Sequence, residues 1–218
     1  MKITAVVPVR KGSQRVINKN LKKFAQTSLL ENKINTLKKV VNINEIIVNT
    51  DSDEAIEIAK NLGVSYHKRE AYYASSECGA SDFFKHLGEV TDTDLFAYCP
   101  PTSPFIKSST IEQCIREFLL NAEYDSFATV SNVKHFLWLN NEPINYKREF
   151  QPNSQDLPNI VSLNFGLNLI SKEMLLLYKN IVGIKPLFRV LDQIEAIDID
   201  TELDFFIAEQ ISNSYLNY

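Results

Sequence analysis

Strand-like and helix-like stretches alternate through the first 130 residues, and that order confines the chain to an α/β design. Lys2–Val9 is short, apolar and rich in β-branched residues, as a buried parallel strand is. Leu30, Ile34, Leu37 and Val41 recur at helical spacing, and Glu45–Thr50 reads as a second strand. Ser52 is placed to cap a helix whose Ala55, Ile58, Ala59 and Leu62 form one face and which Gly63 ends. A helix near Gly79–Leu87 follows, then a strand over Leu95–Cys99 halted by Pro100 and Pro101. Ser109 with Glu112 reads as a capping box for a helix burying Ile111, Cys114, Ile115 and Phe118, and Ser126–Ser131 returns as a strand. The expectation is a Rossmann-like, mostly parallel sheet with helices on both faces and right-handed crossovers. Its ligands would lie beyond the carboxyl ends of the strands.

The 218 residues suit a single domain, residues 1–218, with one excursion at about 135–158. There Phe136, Trp138, Tyr146 and Phe150 are scattered among polar residues without a helical period. A subunit interface, a substrate lid and plain packing all account for them. Regularity resumes with Ile160–Ile170 and a helix from Ser171.

The first strand runs into Arg10-Lys11-Gly12-Ser13-Gln14-Arg15-Val16-Ile17-Asn18-Lys19-Asn20. Four cations, a glycine and a serine suit a polyanion such as a triphosphate, with backbone N–H groups near Gly12 and Ser13 wrapping the phosphates. A solvated basic turn explains them equally well. The glycine spacing is not that of a Walker A loop. A formal charge of −4 argues against nucleic acid as a partner and for a small anionic ligand at this local basic cluster. Cys78, Cys99 and Cys114 are far apart and lack metal-ligand spacing, which fits reduced thiols and a cytoplasmic location. The opening apolar run is too short to span a membrane and lacks a small-residue cleavage site, so no export signal is expected. His67, His86 and His135 are dispersed and accompany no nucleophile motif, so they read as surface or core residues.

Near the end, Ile194–Asp200 alternates apolar and acidic residues. On a strand, Asp198 and Asp200 would share one face, an oxygen-rich pair of the kind Mg²⁺ accepts while it also holds phosphates. The alternative is a half-exposed edge strand with a solvated acidic face. Thr201 with Asp204 would cap a final helix burying Leu203, Phe206, Ile207 and Ile211.

Taken together, these segments resemble the cytidylyltransferases that activate acidic sugars, the acylneuraminate and 3-deoxy-octulosonate CMP-sugar synthetases. "VVPVRKGSQRVINKN" is similar to the family loop Pro-Ala-Arg-x-Gly-Ser-Lys-Arg-x-Pro-x-Lys-Asn. "IIVNTDSDEAIEIAKNLGV", "PPTSPF" and "IDIDTELDF" match three further motifs in the family's order, and Arg69 falls where the family has an arginine before a loop over the nucleotide. The resemblance implies a CTP-dependent nucleotidyltransferase with Mg²⁺ as cofactor. In it an acidic sugar's anomeric hydroxyl attacks the CTP α-phosphate and releases pyrophosphate. It implies that Arg10, Ser13, Asn20 and Arg69 contact CTP and that Asp198 and Asp200 hold Mg²⁺. Thr102 and Ser103 would lie at the join between nucleotide and sugar. Lys11, Gly12, Arg15 and Lys19 complete the phosphate loop. Arg10, Asp198 and Asp200 would carry the catalysis. It further implies a homodimer formed through the excursion; Trp138, by its place there, is expected to pack at that contact.

The chain departs from that pattern at several positions. Gln14 replaces a loop lysine and Ile17 a proline; Ser76 and Glu77 replace an Asp-Thr pair. Pro100 replaces a sugar-binding glutamine, Phe165 stands where an asparagine precedes glycine, and no arginine follows Pro104. The nucleotide half is thus better matched than the acceptor half. Two further readings stay open: a cytidylyltransferase for another anionic acceptor, such as a phosphonate or sugar phosphate, and a non-catalytic nucleotide-binding relative.

Overall fold

The computed structural model describes residues 1–12 and 15–215. In chain order its elements begin with β1 (Ile3–Val9), β2 (Lys23–Phe24), β3 (Thr27–Ser28), α1 (Leu29–Leu37), β4 (Glu45–Thr50) and α2 (Asp53–Asn61). Next come β5 (Ser65–Lys68), α3 (Ala71–Ala74), α4 (Ala80–Val90), β6 (Leu95–Tyr98), α5 (Ser108–Leu120) and β7 (Ser126–Val133). The chain continues through β8 (Trp138–Leu139), β9 (Glu142–Pro143), a 3-10 turn (Ser154–Asp156), β10 (Ile160–Ser171), α6 (Lys172–Tyr178), β11 (Pro186–Val190) and α7 (Glu202–Tyr215).

Seven strands form one sheet in the order β11-β7-β10-β6-β1-β4-β5, and only β10 runs against its neighbours. The expected mostly parallel α/β architecture is what the chain adopts. β1 is buried on both faces because alternate residues feed different layers. Ala5, Val7 and Val9 join Leu30, Ile34 and Leu37 of α1, Ala55 and Ala59 of α2, and Ile111, Cys114 and Ile115 of α5. Val6 joins Leu87 of α4, Phe96, Ile170 and Leu175 of α6 on the other face.

After β1 the chain builds outward to β4 and β5, then crosses back to β6 on the opposite side. This reversal leaves a crevice at the carboxyl ends of β1 and β6, the place such sheets offer a ligand. Pro8 fits the geometry there. The Val6 carbonyl accepts from Cys99 N at 2.9 Å, so Pro8, two residues on, turns its missing N–H toward the same side, where β6 has already ended.

A third apolar cluster lies beneath that end of the sheet. Val16, Phe24, Leu29, Ile199, Phe205 and Ala208 are all buried in it. It seats both the basic loop and the Asp198–Asp200 segment on α7.

Three local expectations are corrected. Ile194–Asp200 is not a strand: Asp192 Oδ1 accepts from Ile194 N (2.9 Å) and Glu195 N (3.1 Å), winding the segment into a turn before an extended stretch. The Ser109/Glu112 box does not form. Helix α5 begins two residues earlier, with Lys107 at the N-cap and no side-chain cap, and Glu112 instead accepts from Asn42 N at 3.2 Å and pairs with Arg116 at 3.0 Å. On α7 the Thr201/Asp204 box does form, with Asp204 N donating to Thr201 Oγ1 (3.2 Å) and Thr201 N to Asp204 Oδ2 (2.7 Å). Its buried residues are nevertheless Phe205 and Ala208, while Leu203, Phe206 and Ile207 are exposed. The edge-to-face stack of Phe205 on Phe24, 5.7 Å between centroids, turns the helix that way.

The excursion is a small hairpin, β8 paired with β9, turned by Asn140 and Asn141 at positive φ. Asn145 ties it down, accepting from Leu137 N (2.9 Å) and donating to the His135 carbonyl (2.8 Å). Cys78, Cys99 and Cys114 are free thiols, and burial pushes Cys99 and Cys114 up to about 12. Among the described residues no helix is long and apolar enough to cross a membrane.

Candidate active site

Two cavities meet at the crevice between β1 and β6. The first, of about 250 Å³, is lined by Arg10, Lys19, Asn20 and Arg69 against Pro8, Phe83, Tyr98, Pro100, Pro101 and Thr102. The second, of about 370 Å³, shares Phe83, Tyr98, Pro100 and Thr102 and adds Phe84, Leu163, Phe165, Asn180, Ile181 and Asp198. One side is basic and the other largely aromatic. A further cleft of about 280 Å³ opens at the amino ends of β4 and β5, away from every candidate residue.

Arg69 is buried, held by Nε donating to Asn49 Oδ1 (2.6 Å) and Nη2 to the Asn49 carbonyl (2.8 Å). Its guanidinium carbon lies 4.5 Å from the Phe83 ring centroid, and burial lowers its pKa. Lys19 is buried with its ammonium on the Ile199 carbonyl and 3.7 Å from Asp200 Oδ1; burial lowers its pKa too. Asn20 Oδ1 is buried without a hydrogen-bond partner.

The acidic segment is stitched to the loop after β6. Ile199 N donates to the Thr102 carbonyl at 2.8 Å, and the Thr102 hydroxyl bonds to Asp198. Burial is the main reason the Asp198 carboxyl sits above the usual carboxylate range, the Thr102 bond opposing it and the nearby Asp200 charge adding to it. Asp198 Oδ1 is buried and unpartnered. Asp200 Oδ1 lies 2.8 Å from Arg15 Nη2.

A buried carboxylate oxygen with no donor, beside a second carboxylate, is a suitable ligand pair for Mg²⁺, which takes one or two carboxylates and completes its shell with water and phosphate. Among the described residues no group of three or more His, Cys, Asp or Glu is set for a metal, so a cation here would depend on the phosphates of a bound nucleotide.

The structure thus gathers Arg10, Lys19, Asn20, Arg69, Thr102 and Asp198 at the cavities, with Asp200 joined through Lys19. Ser103 does not reach them: it is fully buried, its hydroxyl donating to the Asn164 carbonyl (3.4 Å). Lys11 and Gly12 are exposed and line neither cavity, the Lys11 N–H being taken by Asp51 Oδ1 at 2.8 Å. Arg15 is exposed and engaged with Asp200. Ser13 and Gln14 lie outside the described residues.

Several residues at or beneath the cavities escaped the sequence reading, Phe83 and Phe84 of α4 among them. Lys33 is buried under the loop after β6, donates to the Ser103 carbonyl at 2.8 Å and is lowered by burial to about 8. Its only signal is a lysine on the apolar face of α1, one position from Ile34. Tyr98 closes β6 at the sheet's carboxyl end, the position where ligand-facing residues are expected.

A family model described as cytidylyltransferase matches residues 4–151. The N-acylneuraminate cytidylyltransferase of Escherichia coli is 28% identical over 95% of this chain and 51% of its own length. The CMP-N,N'-diacetyllegionaminic acid synthase of Campylobacter jejuni is 25% identical over 95% of this chain and 93% of its own length. The chain therefore spans about half the length of the first of these and nearly all of the second. A solved CMP:2-keto-3-deoxy-manno-octonic acid synthetase complexed with CTP superposes with a TM-score of 0.74 at 12% identity, covering 99% of this chain and 100% of that one. That likeness establishes a shared fold. The match of the family model to well over half of the chain, onto the sheet and loops that build the crevice, makes the chain a member of the cytidylyltransferase family.

Proposed function

We propose that the protein is a Mg²⁺-dependent cytidylyltransferase joining CTP to an acidic sugar of the nonulosonic acid type. What carries this reading is a basic cavity that opens directly onto a second cavity at Thr102 and Asp198. Arg10, Arg69 and Lys19 neutralise the triphosphate, and the unpartnered Asn20 Oδ1 accepts a donor from the nucleoside. The acceptor hydroxyl oxygen bonds to the α-phosphorus, the bond from that phosphorus to the bridging oxygen breaks, and pyrophosphate departs with the electron pair. The hydroxyl proton passes to solvent. Asp198 and Asp200 would hold Mg²⁺, which supplies charge neutralisation at the phosphates when bound. The chain's part is chiefly to position both substrates and to keep cations fixed where charge accumulates. We extend the reading to a homodimer formed through the excursion and to the cytoplasm, where CTP is made.

Pyrophosphate release with each of the four nucleoside triphosphates, Mg²⁺ and a panel of acidic sugars tests it. Release confined to CTP and to nonulosonic acids is expected. Release only with a phosphonate or a sugar phosphate would move the acceptor to another class, and silence despite CTP binding would make the chain a non-catalytic relative.

A further inference from the structure

We propose that the second cavity selects an acid with an apolar far half, bearing deoxy and acyl groups in place of hydroxyls. This rests on the cytidylyltransferase reading, in which that cavity takes the acceptor.

The argument is one of unmet hydrogen bonds. Phe83, Phe84, Tyr98 and Phe165, with Leu163 and Ile181, make most of the wall. Its polar residues are few, and two of them, Thr102 and Asp198, stand at the nucleotide end and bond to each other. The far end offers Asn180, whose Oδ1 already accepts from Val182 N at 3.0 Å, which leaves its NH₂ group as the amide donor there. A polyhydroxylated chain laid against these rings would lose water and find few replacement partners, chiefly the Tyr98 hydroxyl and the Asn180 NH₂ group. Methyl groups lose nothing there and gain contact with the rings, and the methyl end of an acylamino group gains the same contact while its one carbonyl calls on the Asn180 NH₂ group. No Lys or Arg among the described residues lines this cavity, so the cations closest to an acceptor's carboxylate are those of the adjoining basic cavity. That fixes the orientation: acid end toward the nucleotide, apolar end toward Phe165.

Phe165 is the wall residue the fold takes most trouble to place. The pairing of β10 with β7 slips between Leu163 and Asn168, and Phe165 sits in that bulge at φ 52°. Asn164 holds the bulge: its Oδ1 accepts from Thr129 Oγ1 (2.7 Å) and Gly166 N (3.2 Å), and its Nδ2 donates to Ser131 Oγ (3.1 Å). A Cβ at Gly166 would come within 3.0 Å of Thr129 Oγ1, so the chain is drawn tight just behind the ring. The position that takes asparagine in the pattern this sequence resembles carries here a large ring, turned into the cavity in a conformation asparagine adopts more readily.

The test compares kcat/KM for two acids sharing one ring, N-acetylneuraminate and a di-N-acetylated, 9-deoxy nonulosonic acid, with CTP binding followed separately by calorimetry. We expect the acylated, deoxy acid to be preferred about tenfold or more, as for one or two unmet hydroxyls. F165N should narrow that ratio mainly through the KM of the acylated acid. Asparagine suits the positive φ, so the variant should fold; L163S, on an exposed part of the wall, provides a second reading of the same effect. A ratio at or below one, or a ratio unmoved by both variants, overturns the inference while the proposed activity stands. CTP binding with neither acid turned over also overturns it. Absence of CTP binding overturns the cytidylyltransferase reading itself.

Discussion

The amide of Asn49 is oriented by Arg69, which has no acceptor to offer: Arg69 Nε donates to Asn49 Oδ1, so the NH₂ group faces His67 Nδ1 at 3.0 Å. That contact is a hydrogen bond only while His67 is neutral with its proton on Nε2. Burial, then the Arg69 charge, lowers the His67 pKa from its ordinary 6.5, and Glu70 opposes weakly. His86, whose ring centroid is 5.5 Å away and which stacks on Tyr73, is lowered by burial and by His67. The folded state thus binds these protons less readily than the unfolded chain. The stabilisation is full above pH 6.5 and drains as pH falls from 6.5 through the lowered folded value. Protonated His67 would turn a donor on Asn49 and loosen Arg69. The KM for CTP is therefore expected to climb on the acid side of 6.5 in the wild type, and H67Q, whose amide oxygen accepts without titrating, to flatten that limb. An identical acid limb in H67Q would remove His67 from the explanation. N49L, which leaves the buried Arg69 Nε without its acceptor while the backbone carbonyl still holds Nη2, is expected to raise the KM for CTP by about tenfold at every pH. Nothing in the sequence marked Asn49: it is one polar letter within a strand, and its meaning comes from Arg69, twenty residues on.

Elements whose signals are local were legible in the sequence, and those that depend on distant partners were not. β4 runs over Glu45–Thr50 as its residue types require, and Ser52 caps α2 by accepting from Ala55 N at 3.3 Å. Gly63 follows α2 at φ 63°, the left-handed conformation expected of a residue just past a helix. At Ile194–Asp200 apolar–acidic alternation cannot distinguish a strand from a turn followed by an extended segment bonded to another loop. On α7 the period alone does not say which of two apolar stripes meets Phe24. The candidate site divides the same way. Arg10, Asn20, Arg69, Thr102 and Asp198 lie in or beside motifs, whereas Phe83, Phe84 and Tyr98 face the cavities only because β6 and α4 are adjacent in the fold. Helix α7 supplies a prediction at this scale. Phe205 is 3% exposed and shares one cluster with Val16 of the basic loop and Ile199 of the acidic segment. F205A should cost about 3–5 kcal/mol of stability and raise the KM for CTP, since both walls lose their common support. Urea unfolding alongside kinetics at 15 °C checks it, and an unchanged KM in folded protein would detach the cluster from the site.

On the scale of the whole molecule, two groups of exposed apolar side chains among the described residues compete to explain assembly. One is the excursion, where Trp138 (51% exposed) and Leu139 (60%) stand on the β8–β9 hairpin and Ile144 (57%) and Phe150 (72%) follow it. The other is the outer stripe of α7, Leu203 (65%), Phe206 (58%) and Ile207 (44%). Exposed large apolar groups gathered in one patch mark interaction surfaces. The excursion is the better built of the two. Phe136 packs edge-to-face on Tyr146 at 5.2 Å, Trp138 lies 6.1 Å from Tyr146, and Arg148 stands 5.3 Å from the Trp138 ring, fixing an aromatic surface in place before any partner arrives. Aromatic residues beside an arginine are also what the energetic centres of interfaces are made of. The expected species in sedimentation velocity is a homodimer at micromolar concentration. W138S together with F150S should shift it to monomer with little change in thermal stability, because both side chains are largely in water within the single chain. L203S with F206S should leave the dimer intact. The reverse pattern would transfer the interface to α7 and leave the excursion free to act as a cover over the acceptor cavity.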